Sequence, residues 1–247
     1  MTQTAPIIER GFILAAGEGQ RMRPLTETCP KPLLNVGGQP MIDYALDQLV
    51  AAGVKQVVVN LNYLGEMLED HLQSRQDIDI TLSWEDERLE TGGGVKKALD
   101  AFGNDPFYVL NGDVILTDTN HNNQTFLDHL HSSWNEEAMD LLLLLYPKDK
   151  LDDYAGQGDY HYDTTTHKIS YRGDHEQADY LFAGPRIVHP RLFNDSPDGG
   201  FSFLELFHKA QKTGRLFGAI HRGAWHHVGT PDALHMTDKI LRQETAA

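Results

Sequence analysis

Gly17-Glu18-Gly19, followed by Arg21, Arg23 and Lys31, is the stretch best suited to chemistry. Two glycines at this spacing let backbone N–H groups approach an anion without interference from a Cβ. The cations behind them suit a polyphosphate. Two well-known phosphate motifs are excluded. No G-x-x-x-x-G-K-[ST] occurs, and G-x-G-x-x-G would need a glycine at 22, where Met22 stands. The plainer reading is a strand-to-helix turn with surface cations, as parallel sheets often contain.

Three later stretches could join this loop. Leu89-Glu90-Thr91-Gly92-Gly93-Gly94 precedes a helical pattern, and a helix N-terminus carries a positive dipole. Asn111-Gly112-Asp113 closes an apolar strand, at the edge where α/β sheets bind ligands, and Asp113 offers a hard oxygen ligand. Trp225-His226-His227-Val228-Gly229-Thr230 offers an imidazole, His227, as a ligand candidate. Taken alone, the first two also read as ordinary turns, and His227 as a residue that only packs beside Trp225.

The positioning elements alternate between strand and helix. Phe12 to Ala16, Gln56 to Asn60 and Phe107 to Leu110 are apolar, strand-sized runs. Helical spacing covers 40–53, 65–72, 92–102 and 124–134. Ile78, Ile80, Leu82 and Trp84 alternate as in a strand with one buried face. Met139 to Tyr146 and Tyr180 to Val188 are further strands, and 118–123 is a polar turn. Between 147 and 180, short alternating segments suggest small antiparallel strands over one end of the sheet. Ser202 and Glu205 form a capping-box pattern, and Thr230-Pro231 an N-cap and first-turn pair. Strands separated by helices imply right-handed βαβ units and a mostly parallel sheet covered on both faces.

The first stretch resembles the signature of sugar-1-phosphate nucleotidyltransferases, roughly L-A-A/G-G-x-G-x-R-[LM]-x-P-L-T followed by K-P. It is matched from Leu14 to Thr26 and again at Lys31-Pro32. The resemblance implies an α/β fold with a Rossmann-like, mostly parallel sheet, helices on both faces and a small antiparallel β addition. It implies nucleotide contacts from Ala15, Ala16, Gly17, Gly19, Arg21, Lys31, Thr91, Gly92 and Gly93, the glycines letting the chain pass close to the base. Arg21 and Lys31 become the catalytic cations, Arg21 gripping the triphosphate. Arg23 suits either surface or site. Asp113 becomes a ligand of Mg²⁺, with Mn²⁺ as an alternative. His227 stands where relatives carry a second aspartate, and an imidazole favours softer ions. For the sugar, Asn111, Gly158 and Gly184 are the candidates. Many relatives use a lysine there, and Lys168, the candidate at 151–208, lacks the matching context.

The implied reaction joins an NTP to a sugar 1-phosphate, releasing pyrophosphate. The L-E-T-G-G-G form resembles both N-acetylmuramate-1-phosphate uridylyltransferases and close relatives named mannose-1-phosphate guanylyltransferases; the favoured reading is UTP with N-acetylmuramate 1-phosphate in cell-wall recycling. GTP with mannose 1-phosphate is the alternative, and a choline-phosphate cytidylyltransferase a more distant one. From another class comes a catalytically inactive, sugar-nucleotide-binding regulatory protein. Relatives often carry a C-terminal β-helix of hexapeptide repeats. No such period occurs here, so one nucleotidyltransferase domain is expected over 1–247.

Composition agrees. The chain is 40% hydrophobic and 23% charged, with a net charge of −15. That charge disfavours nucleic-acid polymers but spares a small phosphorylated substrate that meets only local cations. Cys29, the sole cysteine, excludes an internal disulfide or multi-cysteine zinc site. Neither a membrane span nor a signal peptide is visible, so a cytoplasmic location is expected. The oligomeric state is left open.

Overall fold

The computed structural model describes residues 7–118, 125–151, 154 and 156–245. In chain order the elements are β1 (Arg10–Leu14), the hairpin β2 (Asn35–Val36) and β3 (Gln39–Pro40), α1 (Met41–Ala51), β4 (Gln56–Leu61) and α2 (Gly65–Leu72). Then come β5 (Asp79–Trp84), α3 (Glu90–Lys97), β6 (Phe107–Asn111), β7 (Val114–Thr117), α4 (Phe126–Ser133) and β8 (Leu141–Pro147). The last are β9 (Tyr160–Tyr162), β10 (Ile169–Tyr171), β11 (Tyr180–Val188), α5 (Phe203–Lys212), β12 (Leu216–Ile220), β13 (Ala224–His227) and α6 (Pro231–Thr245).

β1, β4, β5 and β6 pair in parallel, with β1 between β4 and β6. Phe12 sits level with Val58 on one side and Val109 on the other. β1, β4 and β6 are apolar almost throughout because helices cover both faces, whereas β5, at the sheet edge, alternates. α1, α2 and α4 close one face through Leu46, Leu68 and Leu130. α3 and α5 close the other through Val95, Phe203 and Phe207. β11 runs antiparallel between β6 and β8, and β12 returns parallel to β8, so the sheet is mixed around a parallel centre.

Several expectations are corrected. β9 and β10 are antiparallel, but they extend the sheet at Tyr180 rather than lying over its end. β12 was not foreseen, because Gly218 interrupts its short apolar run. A Cβ on Gly218 would come within 2.6 Å of Ile169, so the gap in the pattern is what lets the layers close. β13, paired with β7, was not foreseen either. Ser202 caps α5 through the Leu204 amide. The complete capping box instead joins Thr125 and Asp128 at α4. Of the polar turn expected at 118–123, residues 119–123 lie outside the described residues.

Candidate active site

An open cleft of about 660 Å³ lies beyond the carboxyl ends of β1, β4, β5 and β6. The chain runs from β1 outward to β4 and β5, then crosses back to place β6 on β1's other side. Such a reversal leaves a crevice between two strands whose loops diverge. Here those are the Gly17–Gly19 loop after β1 and Asn111–Asp113 after β6, and both line the cleft.

The loop after β1 is shaped by its glycines. Gly17 is exposed, with nothing within 4 Å of where a Cβ would stand. Gly19 has φ +61°, a left-handed backbone in which a Cβ would press on Lys31 and Thr26 at 3.0 Å. Its carbonyl accepts from the Met22 amide at 2.8 Å and the Thr26 hydroxyl at 3.0 Å. This closes a 3₁₀ turn, Gln20–Met22, that buries Met22 and leaves Arg21 exposed at the cleft without an ion pair among the described residues. Arg23 lies outside the lining, 3.9 Å from Glu18, so the surface reading applies to it.

Lys31 is 7% exposed, and its Nζ donates to Asp113 Oδ2 at 2.6 Å. The two residues predicted to hold phosphate and metal therefore neutralise each other across the cleft floor. Asp113 Oδ1 has no partner among the described residues.

A second wall is held by residues that no sequence motif singled out. The buried Asn60 accepts from the Ala15 amide at 2.7 Å and donates to Glu85 Oε1 at 2.7 Å. Glu85 Oε2 then accepts from the Leu89 amide at 3.0 Å. One hydrogen-bonded chain thus ties the glycine loop, β4 and the start of α3 together. Glu18, Gln20, Arg88, Glu90 and Ser202 also line the cleft. A signal existed: Asn60 and Glu85 are, like Asn111, polar residues where parallel strands end.

The glycines of α3 act differently from expectation. Thr91 lines the cleft, whereas Gly92 and Gly93 are buried outside its lining. A Cβ on Gly92 would strike the Phe201 ring, and one on Gly93 would enter the Gly199 carbonyl. Gly92 and Gly93 donate their amides to the Phe201 carbonyl at 2.8 and 3.2 Å. They lie inside the helix rather than before it, and they let it dock on 199–201.

Of the sugar candidates, Asn111 lines the cleft, while Gly158 and Gly184 do not. Gly158 turns tightly against Ala178 at φ +74°, and Gly184, at φ +111°, sits in the bulge of β11 beside Val114. Each glycine answers a backbone demand. Lys168 stands over Phe217 at 5.8 Å, away from the cleft lining.

His227 faces Val114 across the β7–β13 pair, one residue from Asp113. Its ring stacks on Trp225 at 5.7 Å and folds over Gly229, where a Cβ would lie 2.8 Å from Nε2 and 3.7 Å from an Arg21 nitrogen. The residue is nonetheless partly open to solvent. Burial by the packed surroundings pushes its pKa down; Asp113 opposes this, and Lys31 and Arg21 reinforce it. Among the described residues no cluster of three or more His, Cys, Asp or Glu could hold a metal.

A loop offering glycine amides, a free arginine and a lysine–aspartate pair in one cleft makes an anion-handling site. The model of the Nucleotidyl transferase family matches residues 10–156, which contain all of these. The chain belongs to that family. An N-acetylmuramate alpha-1-phosphate uridylyltransferase from Caulobacter vibrioides is 37% identical over 227 residues, covering 90% of this chain and 92% of its own. A mannose-1-phosphate guanyltransferase from Hypocrea jecorina is 45% identical over 111 residues, covering 43% of this chain and 30% of its own. A UDP-glucose pyrophosphorylase solved with UDP-glucose superposes with a TM-score of 0.80 at 16% identity, over 96% of this chain and 99% of that one. That likeness concerns the fold. The matched region of this nucleotidyl transferase ends ahead of β9, so β11 and β13 both lie beyond it.

Proposed function

We propose that this nucleotidyl transferase joins UTP to N-acetylmuramate 1-phosphate, giving the UDP-sugar and pyrophosphate. The observation that carries the reading is the extent of similarity. The likeness to the uridylyltransferase runs across both halves of the chain, while that to the guanyltransferase covers 111 residues. We read 1–247 as one catalytic domain, acting in the cytoplasm.

The chemistry asks little of a protein base. A sugar-phosphate oxygen, already an anion, attacks the α-phosphorus of the NTP in line with departing pyrophosphate. The chain must bring two polyanions together, offset their repulsion and meet the charge that develops on the α-phosphate. Arg21 supplies a planar fork for phosphate oxygens, and the Gly17–Gly19 loop brings amides close. Lys31, its aim fixed by Asp113, supplies a point charge. The Asn60–Glu85 chain keeps the loop and α3 in register.

A divalent ion fits this donor set. Mg²⁺ typically takes one or two carboxylates and completes its shell with water and substrate phosphates, and Asp113 presents one free oxygen to the cleft. When bound, the ion would offset phosphate charge. Asp113 would hold it, and His227, packed over Gly229 beside Arg21, is the second candidate ligand and would favour Mn²⁺.

Pyrophosphate release from UTP or GTP, each with N-acetylmuramate 1-phosphate or mannose 1-phosphate, tests the reading. Release with UTP and the muramate is expected. Preference for GTP with mannose 1-phosphate would replace it with the guanylyltransferase. Silence in every combination would favour the regulatory protein.

A further inference from the structure

Arg186 is a buried charge that the proposed reaction does not use. It stands on β11, 2% exposed, with its guanidinium 4.4 Å from the Phe203 ring and 5.4 Å from that of Phe182. It has no carboxylate partner among the described residues, and its Nε makes no hydrogen bond. Burial pushes its pKa down to about 9, which leaves it charged near neutral pH. An unneutralised buried charge is costly, and aromatic faces return only part of that cost. An apolar side chain of similar volume would serve packing better.

The polar contacts that Arg186 does make lead to the cleft. Its Nη1 donates to Asn111 Oδ1 at 3.1 Å and to the Gly184 carbonyl at 2.7 Å. A guanidinium can only donate, so Asn111 must turn its oxygen toward Arg186 and its amide nitrogen away. That nitrogen has no partner among the described residues, and Asn111 lines the cleft. Asn111, the one sugar candidate that lines the cleft, is therefore left with free N–H donors backed by a fixed positive charge. A neutral hydroxyl needs no such charge. The sugar 1-phosphate cannot be the discriminating anion, because every acceptor of this reaction class carries it.

We propose that Arg186 is a specificity-determining positioning residue: acting through Asn111, it selects an acceptor sugar that bears a carboxylate besides its phosphate. The inference rests on the proposed reaction, whose muramate acceptor carries that carboxylate. The test compares kcat/KM, with UTP, for N-acetylmuramate 1-phosphate and for the methyl ester of its carboxylate. The acid should be preferred by about tenfold or more, since a site built for a polar group penalises its loss. Arg186→Gln, which keeps a donor but loses the charge, should bring the acid-to-ester ratio near one. Arg186→Lys should retain most of it. A loss shared equally by acid and ester would move kcat/KM but not the ratio. A ratio unchanged in Arg186→Gln would make Arg186 a packing residue only and overturn the proposal. Wild-type protein that treats acid and ester alike would overturn it without any variant, so a misfolded Arg186→Gln does not shield it. Turnover of neither with UTP, beside turnover of GTP with mannose 1-phosphate, would instead overturn the reaction, and the inference with it.

Discussion

Arg21 reaches the cleft from a single 3₁₀ turn whose left-handed entry falls on Gly19. Because it is exposed and has no ion pair among the described residues, its removal disturbs no packing. Arg21→Ala should therefore lower kcat by about two to three orders of magnitude, as loss of one charge-stabilising donor typically does, with an unchanged melting temperature. Turnover near the wild-type rate would remove Arg21 from the mechanism. Lys31 differs, because it is buried and its ammonium is bonded to Asp113. Substituting it affects both phosphate binding and the pairing of a carboxylate. This residue-level chemistry was largely legible in the sequence because Gly17, Gly19, Arg21 and Lys31 are close along the chain. Asn60 was not legible, because its partners are Ala15 and Glu85, 45 and 25 residues away.

α3 shows how an element carries the site. It brings Thr91 to the cleft by lying tightly on 199–201, and that approach needs positions without side chains. Gly93→Ala adds one atom, placed inside the Gly199 carbonyl. The helix must lift, at about 1–3 kcal/mol, the usual cost of overpacking. Denaturant unfolding should report that loss, while the folded fraction still binds nucleotide. A variant as stable as wild type but unable to bind would return Gly93 to the base pocket. α4 offers a simpler case, since Thr125 and Asp128 cap it reciprocally. Thr125→Ala should cost about 1 kcal/mol, read as a lower denaturation midpoint with unchanged turnover. Among the described residues, no helix is long and apolar enough to cross a membrane.

At the scale of the molecule, five histidines share one behaviour. Burial is the leading cause that lowers the pKa of His129, His189, His221, His226 and His227. A histidine whose folded pKa lies below its unfolded value binds protons more readily when unfolded. Its contribution to stability is thus complete above about pH 6.5, the ordinary value, and is lost as pH falls through the lower folded value. The melting temperature should decline as pH drops from neutrality into that window. His221, 2% exposed and edge-on to Phe126 at 5.9 Å, should contribute strongly, so His221→Gln should flatten the decline. An identical slope in that variant would assign the effect to other groups.

Short-range pattern alone determined the alternation of strands and helices, the parallel centre of the sheet and the glycine loop with its cations. Each of these depends on neighbours along the chain: apolar runs, helical spacing, glycines at turns. Tertiary structure decided the rest. It placed Gly92 and Gly93 against 199–201, assigned Gly158 to a tight turn and Gly184 to a strand bulge, and added β12 through the gap at Gly218. It joined Asn60 to Glu85, paired Lys31 with Asp113, and set Arg186 behind Asn111. The physical reason is common to all of them. A hydrogen bond, an ion pair or a missing Cβ acts over a few ångströms in space, and the strands that bring these residues together are far apart in sequence.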